Sequence, residues 1–179
     1  MDDAQVDAGG FPDTFSTARL RAERLAAGHL DEIHRMHCDP AVMAHLGGVK
    51  TEKQTAEYFD RNLRHWDQYG HGLWVLYERT GNEVIGRAVL RHLLVEDVDE
   101  IEVGYAFSPA FWGQGLATEV TAACIGYARD ELRLKTIVAI TAPANLASQR
   151  VLLKNGLVYD HETTIENVVW SLFRRHWEP

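Results

Sequence analysis

The residues best suited to chemistry lie around one turn, Gly113-Gln114-Gly115, between a run of strand formers from Glu100 to Phe107 and a helical pattern from Gln114 to about Leu132. A strand that ends in such a turn aims several backbone N–H groups, and the positive end of a helix dipole, at one point where a phosphate or pyrophosphate can sit. Gly113 and Gly115 let the backbone wrap an anion without Cβ clashes. Gln114, Leu116, Ala117 and Thr118 offer N–H groups that no earlier helical turn satisfies. A plain strand-to-helix bend would need the same glycines, so the kind of phosphate device has to be settled by what accompanies them. A P-loop requires GxxxxGK[ST], which is missing. A dinucleotide fingerprint requires a third glycine where Thr118 stands, and an acidic residue where the following strand ends Thr141-Ala142-Pro143. The nicotinamide oxidoreductase reading fails at both positions.

A second cluster follows downstream, Asn145-Leu-Ala-Ser148-Gln-Arg150-Val-Leu-Leu-Lys154-Asn-Gly156. Taken with Trp112-Gly-Gln-Gly-Leu-Ala117, it resembles the Gcn5-related N-acetyltransferases, whose pyrophosphate loop is written Q/R-x-x-G-x-G/A and whose second cofactor element is N-x-x-S-x-R-x-x-x-K-x-G. The W-G-x-G-x-A-T-E wording and the opening Thr17-Ala-Arg-Leu-Arg21 are similar to the branch that includes the ribosomal-protein N-terminal acetyltransferases. The resemblance covers nearly everything after the first residues, most specifically 100–156. Trp112 departs from it, standing where Q or R is usual.

The resemblance implies acetyl transfer from acetyl-CoA to a primary amine, on a small molecule or a protein N-terminus, by direct attack in a ternary complex. It implies that the end of the strand at 105–107 splays from its neighbour and pairs with the pantetheine arm, so that a backbone N–H of Ala106 or Phe107 meets the developing oxyanion. Ser148 is the candidate donor to the leaving thiolate; as a small polar residue in the first helical turn it would also be unremarkable. Asn145 suits both an N-cap and a cofactor contact. Glu102 is the candidate base, since strand alternation sets it on one face with Gly104 and Ala106, where small residues leave room for a ligand. A glutamate of ordinary acidity, pKa about 4.3, is too weak a base for an ammonium and would need burial or a relaying water. The competing role for Glu102 is an ion pair across the sheet with Arg87 or Arg91. A non-catalytic acetyl-CoA-binding module is the alternative function, against which the presence of both Glu102 and Ser148 counts.

The elements that must position these residues read as β-α-α-β-β-β-α-β-α-β-β, a mixed α/β, mostly antiparallel sheet with helices on both faces. Strands are expected near Arg19–Leu25, Leu73–Glu78, Val84–Leu94, Glu100–Phe107, Thr136–Thr141, Leu157–Thr163 and Val168–Phe173. Thr51 to Gln54 forms a capping box for a helix whose apolar face is Ala56, Phe59, Leu63 and Trp66, closed by Gly70. Residues 1–13 read as a loose leader and 14–179 as one acetyltransferase domain.

The chain has 179 residues, 46% hydrophobic and 25% charged, with a formal charge of −8. That balance fits a soluble cytoplasmic protein and speaks against nucleic acid as a partner; no apolar run suits a membrane, and a homodimer is left open. The acidity favours cationic acceptors weakly. Cys38 and Cys124 are far apart, and His34, His37 and Cys38 have no second ligand pair, so no metal is expected.

Overall fold

A computed structural model describes residues 13–177. Apart from Asp13, the leader expected over 1–13 lies outside the described residues. The elements are β1 Thr14–Ser16, β2 Leu20–Arg24, α1 Leu30–Cys38, α2 Pro40–Met43, α3 Glu52–Tyr69, β3 Leu73–Glu78, β4 Val84–Val95 and β5 Val98–Phe107. They continue with α4 Leu116–Asp130, β6 Thr136–Thr141, α5 Leu146–Lys154, β7 Val158–Ile165 and β8 Val168–His176. The strands form one eight-stranded sheet in the order β1-β2-β3-β4-β5-β6-β8-β7. The mixed, mostly antiparallel α/β architecture is the expected one; the added strand is β1, too short to show a period.

Local chemistry explains the connections. Thr51 Oγ1 accepts from the Gln54 N–H at 3.2 Å while Gln54 Oε1 accepts from the Thr51 N–H at 2.9 Å, a reciprocal cap for α3. At the far end Gly70 takes a left-handed φ of 69° and donates to the Trp66 carbonyl. The buried stripe of α3 is Thr55, Tyr58, Phe59, Asn62 and Trp66, so Ala56 faces solvent. The apolar residues alone misplace this face, because the stripe is completed by polar side chains that find partners: Thr55 meets His37, and Asn62 donates to the Tyr58 carbonyl. The turns Glu96-Asp97 and Glu166-Asn167, all at positive φ, are of the kind that matches strand twist in tight hairpins.

Every strand pairing is antiparallel except β5 with β6, which is parallel and limited to one register position, Glu102 opposite Val138. β5 is therefore joined to β6 at Glu102 and has no β6 partner along the rest of its length toward its C-terminal end, while β4 pairs with it as far as Phe107. On one side, Ala106 packs against Met36, Val42 and Met43 of α1 and α2. On the other, α4 lies on β4 and β5 and against α5.

Two histidines in this frame set an acid limit on stability. His65 donates from Nδ1 to the His71 carbonyl at 2.8 Å and accepts the His92 N–H at Nε2, 3.0 Å away, an arrangement that requires the neutral ring. Burial pushes His65 down to about 4 and His37 down to about 3. The unfolded chain protonates both near 6.5, so below that pH it binds more protons than the folded one and stability falls with decreasing pH. The melting temperature is expected to drop steadily between about pH 6.5 and 4, as followed by circular dichroism, with His65→Gln flattening part of the slope.

Candidate active site

The glycine turn sits at the open end of the sheet. Gly113 and Gly115 have φ of 74° and 79°, a region that side chains with a Cβ rarely enter. Gly115 is the N-cap of α4, and no side chain caps the helix there. The first intrahelical bond recorded at this end runs from the Glu119 N–H to the Gly115 carbonyl, leaving the Leu116, Ala117 and Thr118 N–H groups facing outward for an anion. Gln114 turns its side chain back, donating to the Ala110 carbonyl at 3.0 Å.

The loop is clasped from the N-terminal end of the chain. Arg19 donates from Nη1 to the Gln114 carbonyl at 2.7 Å and from Nε to Glu119 Oε2 at 2.7 Å. Glu119 also accepts the Arg19 backbone N–H at 2.8 Å and the Thr17 hydroxyl. Burial alone would raise the Glu119 pKa, but these hydrogen bonds hold it below the ordinary value. The motif Thr17-Ala-Arg-Leu-Arg21 was legible as a string; its job as a brace for the loop needed the fold.

Trp112 fills its unusual position for a visible reason. Its ring is half exposed, yet the indole N–H donates to the Phe107 carbonyl at 2.7 Å. That carbonyl points to the side where β6 no longer pairs. The alternation of β5 fixes the rest. The Ser108 N–H bonds the Ile85 carbonyl, and Arg87 stands opposite Ala106. In an antiparallel ladder every second residue bonds the same neighbour. The Ala106 N–H is thus directed at β4, and those of Tyr105 and Phe107 are directed into the splay. Of Ala106 and Phe107, the two residues expected to offer an N–H to the oxyanion, Phe107 is the one that turns its N–H into the splay, and Tyr105 does the same.

Tyr105 contributes its side chain as well. Its hydroxyl donates to Ser148 Oγ at 3.1 Å, bridging β5 and α5. Burial raises the Tyr105 pKa, with the Ser148 bond opposing, so the phenol keeps its proton. Ser148 accepts with its oxygen and keeps its own proton free to give. Its backbone N–H bonds Asn145 Oδ1 at 3.1 Å, so Asn145 is the N-cap of α5. Sequence reasoning put Tyr105 on the face away from Glu102 and gave it no role; the pairing depends on how α5 lies over the sheet.

Glu102 is buried at 4% exposure, and its Oε2 accepts from Arg91 Nε at 2.6 Å. The carboxylate raises the Arg91 pKa above its ordinary value. Of the two ion-pair partners considered for Glu102, the structure selects Arg91. Gly104 keeps space beside the acid: a Cβ there would stand 3.1 Å from Val89 Cγ1 and 3.7 Å from Glu102 Oε1. Arg150 and Lys154 are exposed on α5. His71 and Trp74 are buried in the body of the protein, whereas Tyr69 stacks on His92 at 4.0 Å. Among the described residues no group of three or more His, Cys, Asp or Glu side chains is arranged to hold a metal, and no helix is long and apolar enough to cross a membrane.

Comparison with known proteins agrees with this geometry. Residues 19–158 match the family model described as an acetyltransferase (GNAT) domain. YkkB of Bacillus subtilis is 34% identical over 121 residues, 68% of this chain and 70% of that protein. The FsC-acetyl coenzyme A-N(2)-transacetylase of Aspergillus fumigatus is 30% identical over 155 residues, 82% of this chain and 65% of that longer protein. An acetyltransferase structure from Agrobacterium tumefaciens superposes with a TM-score of 0.83 at 24% identity, covering 97% of this chain and 100% of that one. RimL, the ribosomal L7/L12 alpha-N-protein acetyltransferase solved with coenzyme A, shares the fold with a TM-score of 0.73 at 15% identity, covering 91% and 97%.

Proposed function

The chain belongs to the GNAT acetyltransferase family and is an acetyl-CoA-dependent acetyltransferase, and from that premise we propose how its residues divide the work on a primary amine. The observation that carries the reading is the splay of β5 from β6 beside the clasped glycine turn. Acetyl-CoA would lay its pyrophosphate on the N–H groups of Leu116, Ala117 and Thr118, with Gly113, Gln114 and Gly115 shaping the wrap, and Asn145 fixing the first turn of α5 beside the pantetheine. When bound, the cosubstrate supplies the activated acyl group as a thioester. The acceptor amine attacks its carbonyl from the α1–α3 side of the sheet.

Each group then has one task. The backbone N–H groups of Phe107 and Tyr105, preset by strand geometry, receive the developing oxyanion at no reorganisation cost. Glu102, through a water if the amine lies too far, takes the proton from the attacking nitrogen. Ser148 passes its proton to the departing thiolate and takes the Tyr105 hydroxyl proton in its place, and solvent then reprotonates the phenol. The protein acts in this reading as one catalytic domain over 14–179, in the cytoplasm. A non-catalytic acetyl-CoA sensor is disfavoured by the Tyr105–Ser148 hydrogen bond beside the splay, which such a module would have no need to keep, whereas the Arg91–Glu102 pair would serve the fold of either.

The deciding experiment follows free CoA with a thiol reagent across a panel of amines. Turnover on at least one amine is expected; saturable CoA binding with no turnover on any would favour the sensor. With the best acceptor, Ser148→Ala is expected to lower kcat by about tenfold or more and leave the affinity for acetyl-CoA intact. Tyr105→Phe should lower kcat less, and adding it to Ser148→Ala should cost nothing further. Independent, additive losses would break the proposed relay.

A further inference from the structure

On the face of the sheet turned to α1–α3, strand alternation puts Arg87 and Arg91 of β4 beside Ala106, Gly104 and Glu102 of β5. The two arginines keep different company. Arg91 is answered by Glu102 at 2.6 Å. Arg87 is 8% exposed and, among the described residues, its guanidinium makes no hydrogen bond and no ion pair; its Nε is buried without a partner. What it has is the ring of Tyr58, whose centroid lies 5.3 Å from its Cζ.

Two further buried atoms beside that ring are unsatisfied, the Tyr58 hydroxyl and His37 Nε2. His37 meets Tyr58 edge-on at 4.8 Å and engages Thr55 through Nδ1 at 3.1 Å. The ring is neutral: after burial, the charges of Arg87 and Lys50 are the next causes that depress it. Among the described residues no carboxylate answers the Arg87 charge: of the two that alternation puts on this face of β5, Glu102 is taken by Arg91 and Glu100 by Arg174. A buried cation with no counter-charge is costly to a fold, as are unpaired buried hydroxyl and imidazole groups. Together the three form what an oxyanion binds to: a forked guanidinium flanked by a phenol and an imidazole that can each donate.

The place of this cluster tells what it would serve. Arg87 pairs directly with Ala106, between the two residues whose N–H groups turn into the splay. Resting on the acetyltransferase reading above, we propose that Arg87, with Tyr58 and His37, binds an anionic group on the acceptor, and that the acceptor is an amine carrying a carboxylate, of amino-acid type. An anion held there brings a nearby amine to the splay and supplies the missing counter-charge. Beside the paired Arg91 and Glu102, a polyamine would meet in Arg87 a guanidinium that no carboxylate balances, so the local field opposes the weak preference that the overall charge of −8 suggests.

The test measures CoA release and, in parallel, the thermal shift of the CoA-loaded protein. The panel holds α- and ω-amino acids, their methyl esters, aminoalkylphosphonates and spermidine. The wild-type protein is expected to favour the free carboxylates over their esters by at least about tenfold in kcat/KM, because a site built for a hydrogen-bonding group rejects the analogue that lacks it. Arg87→Met, which removes an unpaired charge and so should fold, is expected to erase that preference while binding acetyl-CoA as before. Arg87→Lys should keep part of it. Esters or spermidine used as well as carboxylates, or a preference that survives Arg87→Met, would overturn the proposal, and a preference for phosphonates over carboxylates would overturn the carboxylate assignment. Should no amine turn over, the transferase reading fails by itself; carboxylate-dependent stabilisation lost in Arg87→Met would still sustain the anion site, and its absence would sink it.

Discussion

Gly115→Val is expected to weaken CoA binding by at least tenfold, about 1.4 kcal/mol, in a protein that still folds. Two effects add. At φ 79° a β-branched residue is strained by about 1–3 kcal/mol, and relief of that strain would rotate the peptide whose neighbours present the N–H groups of Leu116 to Thr118. A Cβ at Gly115 also stands 3.5 Å from Arg19 Nη2, ordinary contact for alanine but crowded once valine branches. The Arg19 hydrogen bond to the Gln114 carbonyl is the first interaction to yield. Gly113→Ala makes a useful contrast, because a Cβ there meets nothing within 4 Å and carries only the backbone strain. Calorimetric titration of CoA into the three proteins should rank them wild type, Gly113→Ala, Gly115→Val. Equal affinities would remove the pyrophosphate from this loop.

Glu102→Gln should damage both stability and rate, and the two losses can be separated. Removing the charge leaves Arg91 without its carboxylate; breaking a buried pair from one side costs about 3–5 kcal/mol. Arg91, 27% exposed, can recover some hydration, which favours the lower end of that range. Turnover should fall by about a hundredfold or more if the carboxylate moves the amine proton. Arg91→Met combined with Glu102→Gln takes out both charges and is expected to restore the melting temperature without restoring kcat. A Glu102→Gln enzyme with an unaltered rate would leave the acid with the ion pair as its whole purpose.

How far the sequence could be read depended on the range of the interaction. Periodicity and caps located the helices and most strands because their causes lie within a few residues, as at Thr51–Gln54 and Gly70. The glycine turn and the Asn145 cap were legible for the same reason. Tyr105 with Ser148, and Arg19 with Gln114 and Glu119, were not, since each joins elements that meet only once the sheet is assembled. The choice of Arg91 over Arg87 for Glu102 is a matter of strand register: Glu102 lies opposite Arg91, whereas Arg87 lies opposite Ala106. The sequence offered both arginines as partners and could not say which stood across from the acid. The buried stripe of α3 was misread at Ala56 because hydrophobicity does not anticipate a threonine and an asparagine that bury with partners.

The clasp between Thr17, Arg19 and Glu119 has a thermodynamic corollary. If it shapes the loop for the cofactor, the cofactor must in turn strengthen the clasp by the same free energy, since coupling between two equilibria is reciprocal. The link between β1 and β2, at the edge of the sheet farthest from β6 in strand order, then opens less often whenever the loop is loaded. Occupancy of the cofactor site is thereby written into the rate at which the amides around Arg19 exchange with water.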